Sequence, residues 1–432
     1  MAASKQGLIP VRWWIAILLF LSYVVWYMDR VNISIAGPSM MKHFNWSAAE
    51  FGLVQSAFFI GYVFTQIPGG WLADRFGGSK VILAGTLWWS VFVFITPFGA
   101  TLILMMVIRA LMGVGEGVNA PTHTALTAWW MPKKEAGRAN GFYYLGMPVG
   151  IMITMPLVVW IIGKYGWQMS FYSFAFIGVI WCAVWFRYGC DRPEQHKSIS
   201  KEEIDYIKSD RDSVEVMEQP TDWKTVFSNK PVWGLAVSYF FNNYLWYLYM
   251  TWLPSYLVMG RGFTLVKTGI FAMLPYMVSV ISMPIGGYLS DYWTRKYGPH
   301  IGRSVPIQIG LAGCGVFLVL GAHTPNAYVA IAYICASVGF LTMNFGPFWS
   351  APLNLSAKDG GVISGLMNTF GTIAGIVAPS VTGFVVTASG NKFEYALYFG
   401  AFIALLGVVV VGTVGRVRAI DFKKGKISTQ AV

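Results

Sequence analysis

Residues 15–35 read IAILLFLSYVVWYMDRVNISI, an apolar run interrupted only near its far end, by Asp29 and Arg30. A helix needs about 20 such residues to cross the hydrocarbon core of a bilayer, so the run predicts a transmembrane helix. Ionised groups inside such a helix are costly enough to be read as functional by default. The competing reading is that Arg30 snorkels to the interface with Asp29 as its surface partner.

The rest of the chain extends the membrane reading. Of 432 residues, 56% are hydrophobic and only 12% charged, and the mean hydropathy is +0.55; no water-soluble globular domain is built that way. Twelve runs are long enough to span: 13–36, 48–72, 79–98, 102–124, 136–162, 167–188, 232–259, 267–290, 304–321, 327–350, 360–387 and 394–415. The expected architecture is all-α and integral to the membrane, with a six-helix bundle over 1–188, a polar linker over 189–231 and a second six-helix bundle with a tail over 232–432. The first run is too long for a signal-peptide core and no small-residue cleavage site follows it, so the first helix is expected to stay.

A formal charge of +12 could suggest nucleic acid as a partner. Alternating the loops between two sides instead gathers Lys5, Arg12, Arg75, Lys80, Lys133, Lys134, Arg138, the basic linker, Arg295, Lys296, Arg303, Lys358 and the tail on one side. Lys42, Lys164, Arg261, Lys267 and Lys392 fall on the other, and Arg30 and Arg109 stay inside the membrane. The positive-inside rule then makes both termini and the linker cytoplasmic, and nucleic-acid binding is set aside. Cys182, Cys190, Cys314 and Cys335 lie in or at the ends of apolar runs without metal-ligand spacing, and read as packing residues. No metal and no cofactor is expected.

The halves echo each other. Residues 69–75 read GGWLADR and residues 286–296 read GGYLSDYWTRK, each closing a hydrophobic run and opening a basic turn. Two such motifs at equivalent places indicate a duplicated, parallel-repeat transporter with its substrate site near the midplane. Asp74, Arg75, Asp291 and Arg295 in these turns are expected to clamp helix ends in the outward-open state and not to touch substrate.

The fourth run holds Arg109, Glu116 and His123 at spacings of seven, which places all three on one helix face. With a rise of 1.5 Å per residue and a first helix leaving the cytoplasm at Arg12, Asp29 stands roughly 25 Å up, Arg109 roughly 12 Å down from the far side and Glu116 roughly 22 Å down. The two helices can then share one cluster of two carboxylates and two guanidiniums, with Glu116 the deeper acid. A purely structural bridge is the alternative, but a buried ion pair is an expensive way to hold helices. Arginine stays charged at any accessible pH while Asp and Glu take up protons. Protonated acids leave the arginines free for a carboxylate ligand, and ionised acids neutralise them. Proton and anion occupancy therefore favour each other, which suffices for symport. His123 is either a hydrogen-bonded structural histidine or an aid to proton exit.

The Gly-Gly-x-Leu-x-Asp-Arg-x-Gly motif, its echo after the eighth helix and the split twelve-helix pattern resemble the major facilitator superfamily. More narrowly, YMDRVNIS (27–34), QIPGGWLADRFG (66–77), RALMGVGEG (109–117), WWMPKKEAGRANGFY (129–143) and DRPEQHKSISKEEIDYI (191–207) resemble its anion:cation symporter family. That family includes bacterial uptake systems for galactonate, hexuronates, glucarate and tartrate. The resemblance implies a cell (inner) membrane, multi-pass carrier in which Arg30 binds the substrate carboxylate, Asp29 and Glu116 accept protons and Arg109 orients them. It further implies that Tyr27, Tyr62, Trp349 and Asn368 line the substrate cavity. On the fifth helix Met147 stands where the sugar-acid branch has a glutamine that contacts hydroxyls, which brings in a dicarboxylate or an aromatic acid as competitors.

The second half supplies neutral polar groups: Asn242, Asn243, Trp246 and Tyr247 on the seventh helix, Asn344 and Trp349 on the tenth, Asn368 and Thr372 on the eleventh. Amides and phenols suit a hydroxylated acid. Gly113/Gly117, Gly361/Gly365 and Gly371/Gly375 repeat the spacing that lets membrane helices approach closely. With no Gly-Lys-Ser/Thr after a glycine loop, ATP is not the energy source. The expected function is a monomeric proton-coupled importer of an organic carboxylate, a sugar acid being favoured and sodium coupling remaining open. The alternatives are a proton-antiporting exporter and a nontransporting ligand sensor. An enzyme is not expected, because no nucleophile or metal constellation is present.

Overall fold

The computed structural model describes residues 9–209, 223–356, 359–415, 420–421 and 426–427. Lys5, Arg211, Lys358 and the tail residues Arg416, Arg418, Lys423 and Lys424 lie outside them, as does the middle of the polar linker. The helices are α1 (Val11–Phe44), α2 (Ala48–Phe76), α3 (Gly78–Ile95), α4 (Leu102–Glu116), α5 (Asn119–Trp130), α6 (Lys133–Tyr144), α7 (Gly146–Tyr165), α8 (Trp167–Tyr188), α9 (Lys201–Ser209) and α10 (Trp223–Ser228). They continue with α11 (Lys230–Ser255), α12 (Leu265–His323), α13 (Ala327–Thr342), α14 (Phe345–Leu355), α15 (Gly360–Ala388) and α16 (Phe393–Thr413). A two-residue antiparallel ladder pairs Ile420 with Ile427 in the tail.

Among the described residues, ten helical stretches are long and apolar enough to cross a membrane. One of them, α12, has 59 residues and turns back at Gly298, whose φ of 80° interrupts the helix. Only glycine adopts that conformation without strain, and Ser290 Oγ then donates to the Gly302 carbonyl across the turn at 2.6 Å. Counting α12 as two passes and adding α11, which its asparagines and tyrosines make less apolar, gives the twelve passes expected. Large apolar side chains such as Phe64, Ile103 and Phe186 are 71–78% exposed, as lipid-facing surfaces require.

Three spans expected as single helices are each broken, and the reason is the same. The breaks fall at Gly117–Val118, Leu145 and Met343–Asn344, in each case about four residues before Pro121, Pro148 or Pro347. A proline has no N–H for the carbonyl one turn earlier and its ring crowds that carbonyl. The helices beyond the breaks continue, so 102–124, 136–162 and 327–350 become pairs rather than unbroken rods.

The chain divides into two compact units, Met1–Ala36 with Ala57–Met217 and Gly37–Ser56 with Glu218–Val432. In the first unit, glycines seat the helices. A Cβ at Gly61 would run into the Ala110 backbone, one at Gly113 into the Phe58 carbonyl and one at Gly117 into Thr65 and the Tyr62 carbonyl, so α2 and α4 touch backbone to backbone. On α7, Gly150 meets the Val24 carbonyl of α1 in the same way. The close approach expected at Gly361 and Gly365 is absent: a Cβ at either would meet nothing within 4 Å. Both sit on the open side of α15, and spacing alone does not say which side of a helix has a neighbour.

The start of the polar linker is built onto the first unit. Asp191 accepts from the Ser79 backbone N–H at 2.7 Å, at the first turn of α3, and Trp130 donates to the Cys190 carbonyl at 3.0 Å. Glu203 on α9 accepts from the backbone N–H groups of Val11 and Arg12 at 3.1 and 3.0 Å, which satisfies otherwise orphaned donors at the start of α1. The Arg12 guanidinium bridges Glu203 and Glu135, both at 3.0 Å, and Tyr206 donates to Glu135 at 2.7 Å. The linker stretch EQHKSISKEEIDYIKSD thus holds α9, anchored by ion pairs and by the buried Ile207. All four cysteines are free, and burial pushes the Cys190 thiol up to about 11.

Candidate functional site

Neighbouring residues on a helix point about 100° apart, so Asp29 and Arg30 address different partners. Arg30 shares a face with Trp26, one turn earlier, and is turned toward α2 and α4. Its Nε donates to Glu116 Oε2 at 2.8 Å, with side-chain exposures of 3% and 0%. The Trp26 indole N–H donates to the same carboxylate oxygen. Five rings surround the guanidinium: Trp26 at 4.7 Å, Tyr27 at 5.4 Å, Phe58 at 4.9 Å, Phe59 at 5.8 Å and Tyr62 at 4.5 Å. A cation held over ring faces in a dry site gains from each of them. The snorkelling alternative fails, because Arg30 is only 4% exposed.

Asp29 faces α3, where the Trp89 indole donates to Oδ2 at 3.0 Å. Arg109 stands over Phe58 at 5.1 Å and donates to Met112 Sδ at 2.9 Å. It lies within electrostatic reach of Glu116, Arg30 and Asp29 but makes no ion pair with either acid among the described residues. The four charged groups form the expected cluster, with one correction. Glu116 is not far below Arg30 but in contact with it. The depth reckoning assumed that α1 enters the membrane at Arg12, whereas α1 has 34 residues and at 1.5 Å per residue is about 20 Å longer than a core of about 30 Å. Arg12 is instead tied to Glu135 and Glu203, and the placement of Arg30 and Asp29 is given by their contacts with Glu116 and Trp89 and not by counting from Arg12.

Several polar atoms in this unit have no protein partner among the described residues: Asp29 Oδ1, Arg109 Nε, Glu116 Oε1 and both side-chain atoms of Asn32 and of Asn119. Buried polar groups are rarely left so, and their concentration around the Arg30–Glu116 pair marks this cluster as the candidate site. Met147 is buried on α7 at 4% exposure. His123 is fully buried, its ring nitrogens 2.8 Å from the Asn119 carbonyl and 3.3 Å from the Leu19 carbonyl.

In the second unit, Asn242 is joined to a second amide. Its Oδ1 accepts from Asn344 Nδ2 at 3.0 Å, and both residues are fully buried. Asn243 donates to the Tyr239 carbonyl, and the Trp349 ring stands 6.1 Å from that of Tyr239. The Asn368 carbonyl accepts from Thr372, with the Asn368 side chain half-buried. In the motif turns, Asp74 and Arg75 are exposed, and Arg75 lies over Trp71 and Phe76 at 5.1 and 5.5 Å. Asp291 pairs with Arg303 at 2.7 Å rather than with Arg295. The reversal at Gly298 brings residue 303 back beside residue 291, which linear proximity to Arg295 could not indicate.

Sequence reasoning missed the donors that hold the acids, Trp26 and Trp89. For Trp26 a signal existed, since it lies four residues before Arg30 on a common face. It also missed the Arg12, Glu135, Glu203 and Tyr206 network, although Ser200-x-x-Glu203 marks a helix start, and Ser200 Oγ does accept from the Glu203 N–H at 3.2 Å.

A many-pass helical protein with a buried, ring-lined ion pair in its interior and two related motif turns has the architecture of a membrane transporter. The Major Facilitator Superfamily model matches residues 15–379, and the chain belongs to that superfamily. It is 35% identical over 384 residues to the ascorbate transporter of Arabidopsis thaliana chloroplasts, covering 87% of this chain and 70% of that one. It is 32% identical over 438 residues to the D-galactonate transporter of Escherichia coli O6:H1, covering 96% and 98%. Among solved structures, a bacterial homologue of the human lysosomal transporter Spinster, in an inward-facing and unoccupied conformation, superposes with a TM-score of 0.78 at 15% identity, covering 98% of this chain and all of that one. The protein is a multi-pass membrane transporter and not an enzyme.

Proposed function

We propose that this transporter imports an organic carboxylate together with protons by alternating access. The observation that carries the reading is the Arg30–Glu116 pair at 2.8 Å inside five aromatic rings. A guanidinium is the side chain best shaped to bind a carboxylate, and here its carboxylate comes from the protein itself. Protonating Glu116 removes that internal partner and leaves Arg30 a buried cation in need of an anion, so a substrate carboxylate takes its place. Losing the proton restores the internal pair and expels the substrate. The coupling is reciprocal, and Asp29, near Arg109 and Glu116, is the second proton acceptor. Arg109 keeps the acids oriented, and Tyr27 and Tyr62 bound the anion's carboxylate end. Trp349, Asn368 and the Asn242–Asn344 pair belong to the part that recognises its tail.

The ascorbate and D-galactonate carriers among the relatives support a hydroxylated anion, with a sugar acid first, and buried Met147 keeps dicarboxylates and aromatic acids in the comparison. The positive-inside pattern supports cytoplasmic termini and a cytoplasmic 189–231 linker between bundles at 1–188 and 232–432, in a monomer of the cell (inner) membrane. Two protons with a monoanion carry one net positive charge inward, so an inside-negative potential stimulates uptake. The test is uptake by purified protein in liposomes with pH and voltage set separately, screening aldonates, aldarates, hexuronates, tartrate and aromatic acids. Uptake that no imposed proton gradient alters, for any anion in that panel, refutes the coupling.

A further inference from the structure

The coupled proton needs a way out of the ion-pair site, and the first unit contains a column of buried polar groups that the scheme above leaves unused. Glu116, Asn119 and His123 lie three and four residues apart across the α4–α5 break, so they stack along one face. All three are fully buried. Glu116 Oε1 and both side-chain atoms of Asn119 have no protein partner among the described residues, and buried polar groups without protein partners are where ordered water resides. At the end of the column, His123 faces two acceptors: Nδ1 is 2.8 Å from the Asn119 carbonyl, and Nε2 is 3.3 Å from the Leu19 carbonyl of α1. A neutral imidazole has one N–H and serves only one of them; an imidazolium serves both. The titratable groups that face the ring from other helices are phenols, Tyr23 of α1 at 4.7 Å and Tyr143 of α6 at 5.5 Å between ring centroids. No carboxylate pairs with it among the described residues. The surroundings are therefore built to receive a proton in passing and not to keep it.

We infer that Glu116, water held by the Asn119 amide, and His123 form the route by which the coupled proton leaves the ion-pair site, with His123 its acceptor. The inference rests on the proton-coupled reading above. In the step, the O–H bond of protonated Glu116 breaks and its electron pair stays on the carboxylate, which takes Arg30. The proton passes through water to the imidazole, whose second N–H forms, and the imidazolium then releases it to water on the cytoplasmic side. His123 touches no substrate in this scheme; it governs the rate of proton exit.

The test uses the full-length protein in liposomes and compares two modes: anion exchange at equal pH, which moves no net proton, and net uptake driven by an imposed pH gradient. In His123→Gln, and independently in Asn119→Leu, net uptake is expected to slow at least about tenfold while exchange stays within about twofold of wild type. In His123→Ala, added imidazole is expected to restore net uptake, and in Asn119→Leu it is not. Wild-type net uptake in both His123→Gln and Asn119→Leu overturns the route, and so does a parallel loss of exchange and net uptake, which is what a packing role produces. Should His123→Gln not fold, Asn119→Leu decides alone. Wild-type protein indifferent to the pH gradient removes the coupling reading itself, which separates that failure from this one.

Discussion

Replacing Glu116 by glutamine tests the coupling at its centre, because the amide keeps the shape, can still accept from the Trp26 indole, and can neither ionise nor take up a proton. In the proposed scheme, the Arg30–Glu116 pair at 2.8 Å neutralises the arginine that would bind the anion whenever Glu116 is ionised. Protonation favours anion binding, so by linkage anion affinity falls as pH rises through the titration of Glu116, by up to about tenfold per pH unit. In the variant nothing titrates at that position, and the affinity should be flat over the same range and highest relative to wild type at alkaline pH. Breaking a buried pair costs about 3–5 kcal/mol in the empty protein, and a bound carboxylate recovers much of it. The energetics of accumulation follow. One pH unit is about 1.36 kcal/mol per proton, so a gradient of about two units lets each coupled proton sustain an approximately 100-fold concentration ratio. With Arg30 never discharged internally, Glu116→Gln should bring that ratio to about one while counterflow exchange continues. Liposomes loaded at one pH and diluted into another, with labelled anion, give both numbers. Wild-type accumulation by the variant, or an unchanged slope of affinity against pH, refutes the reasoning.

Arg30→Ala should remove binding altogether, weakening it at least about 100-fold in equilibrium titration, and unchanged affinity would exclude Arg30 as the anion's partner. On the linker, Arg12→Ala should destabilise the detergent-solubilised protein by about 3 kcal/mol, since it leaves the mostly buried Glu135 and Glu203 without their shared cation. Lys208→Ala should change stability by less than about 0.5 kcal/mol, because its pair with Glu194 is about half exposed on both sides. The Lys208 hydrogen bond holds the Glu194 carboxyl below the usual carboxylate range. That small stabilisation is present above the unfolded carboxylate pKa and fades as pH falls through the folded one; equal effects of the two variants in a thermal melt would refute the contrast. Gly113→Ala should lower the yield of folded protein sharply, since its Cβ would occupy the place of the Phe58 carbonyl, while Gly365→Ala, in open space, should be neutral.

Much of the fold was legible because a bilayer imposes one rule on every segment. Length and apolarity place the spans, and the duplicated GGWLADR and GGYLSDYWTRK turns pair the halves. What periodicity could not show was where helices break, although Pro121, Pro148 and Pro347 were in view. A proline permits either a kink or a stop, and packing decides which. The charged residues of the site were legible because ionised groups are rare inside spans, so Asp29, Arg30, Arg109 and Glu116 stand out against an apolar background. Their pairing was not. It depends on the azimuth of α1 and on the seating of α4, which Gly61, Gly113 and Gly117 set by backbone contact. Neutral residues carried less information still. Neither the bond between Asn242 and Asn344 nor the hold of Trp89 on Asp29 follows from residue type.

That seating has a mechanical consequence. With the backbones of α2 and α4 in close approach at Gly61 and Gly113, both walls of the candidate site, Phe58 and Tyr62 on one and Glu116 on the other, are set by a single helix–helix contact. Arg30 belongs to α1, so the 2.8 Å pair is a tie between α1 and the α2–α4 body, while the Trp89–Asp29 bond ties α1 to α3. Adjacent residues on one helix thus hold it to two different neighbours. One tie is an ion pair that a proton or an anion can break; the other is a neutral indole bond that survives either protonation state of the acid. If protons enter at Glu116 as proposed, they release only the Arg30 tie, while the Trp89 bond, the close approach of Val24 to Gly150 of α7 and the Arg12 bridge to Glu135 and Glu203 still hold α1.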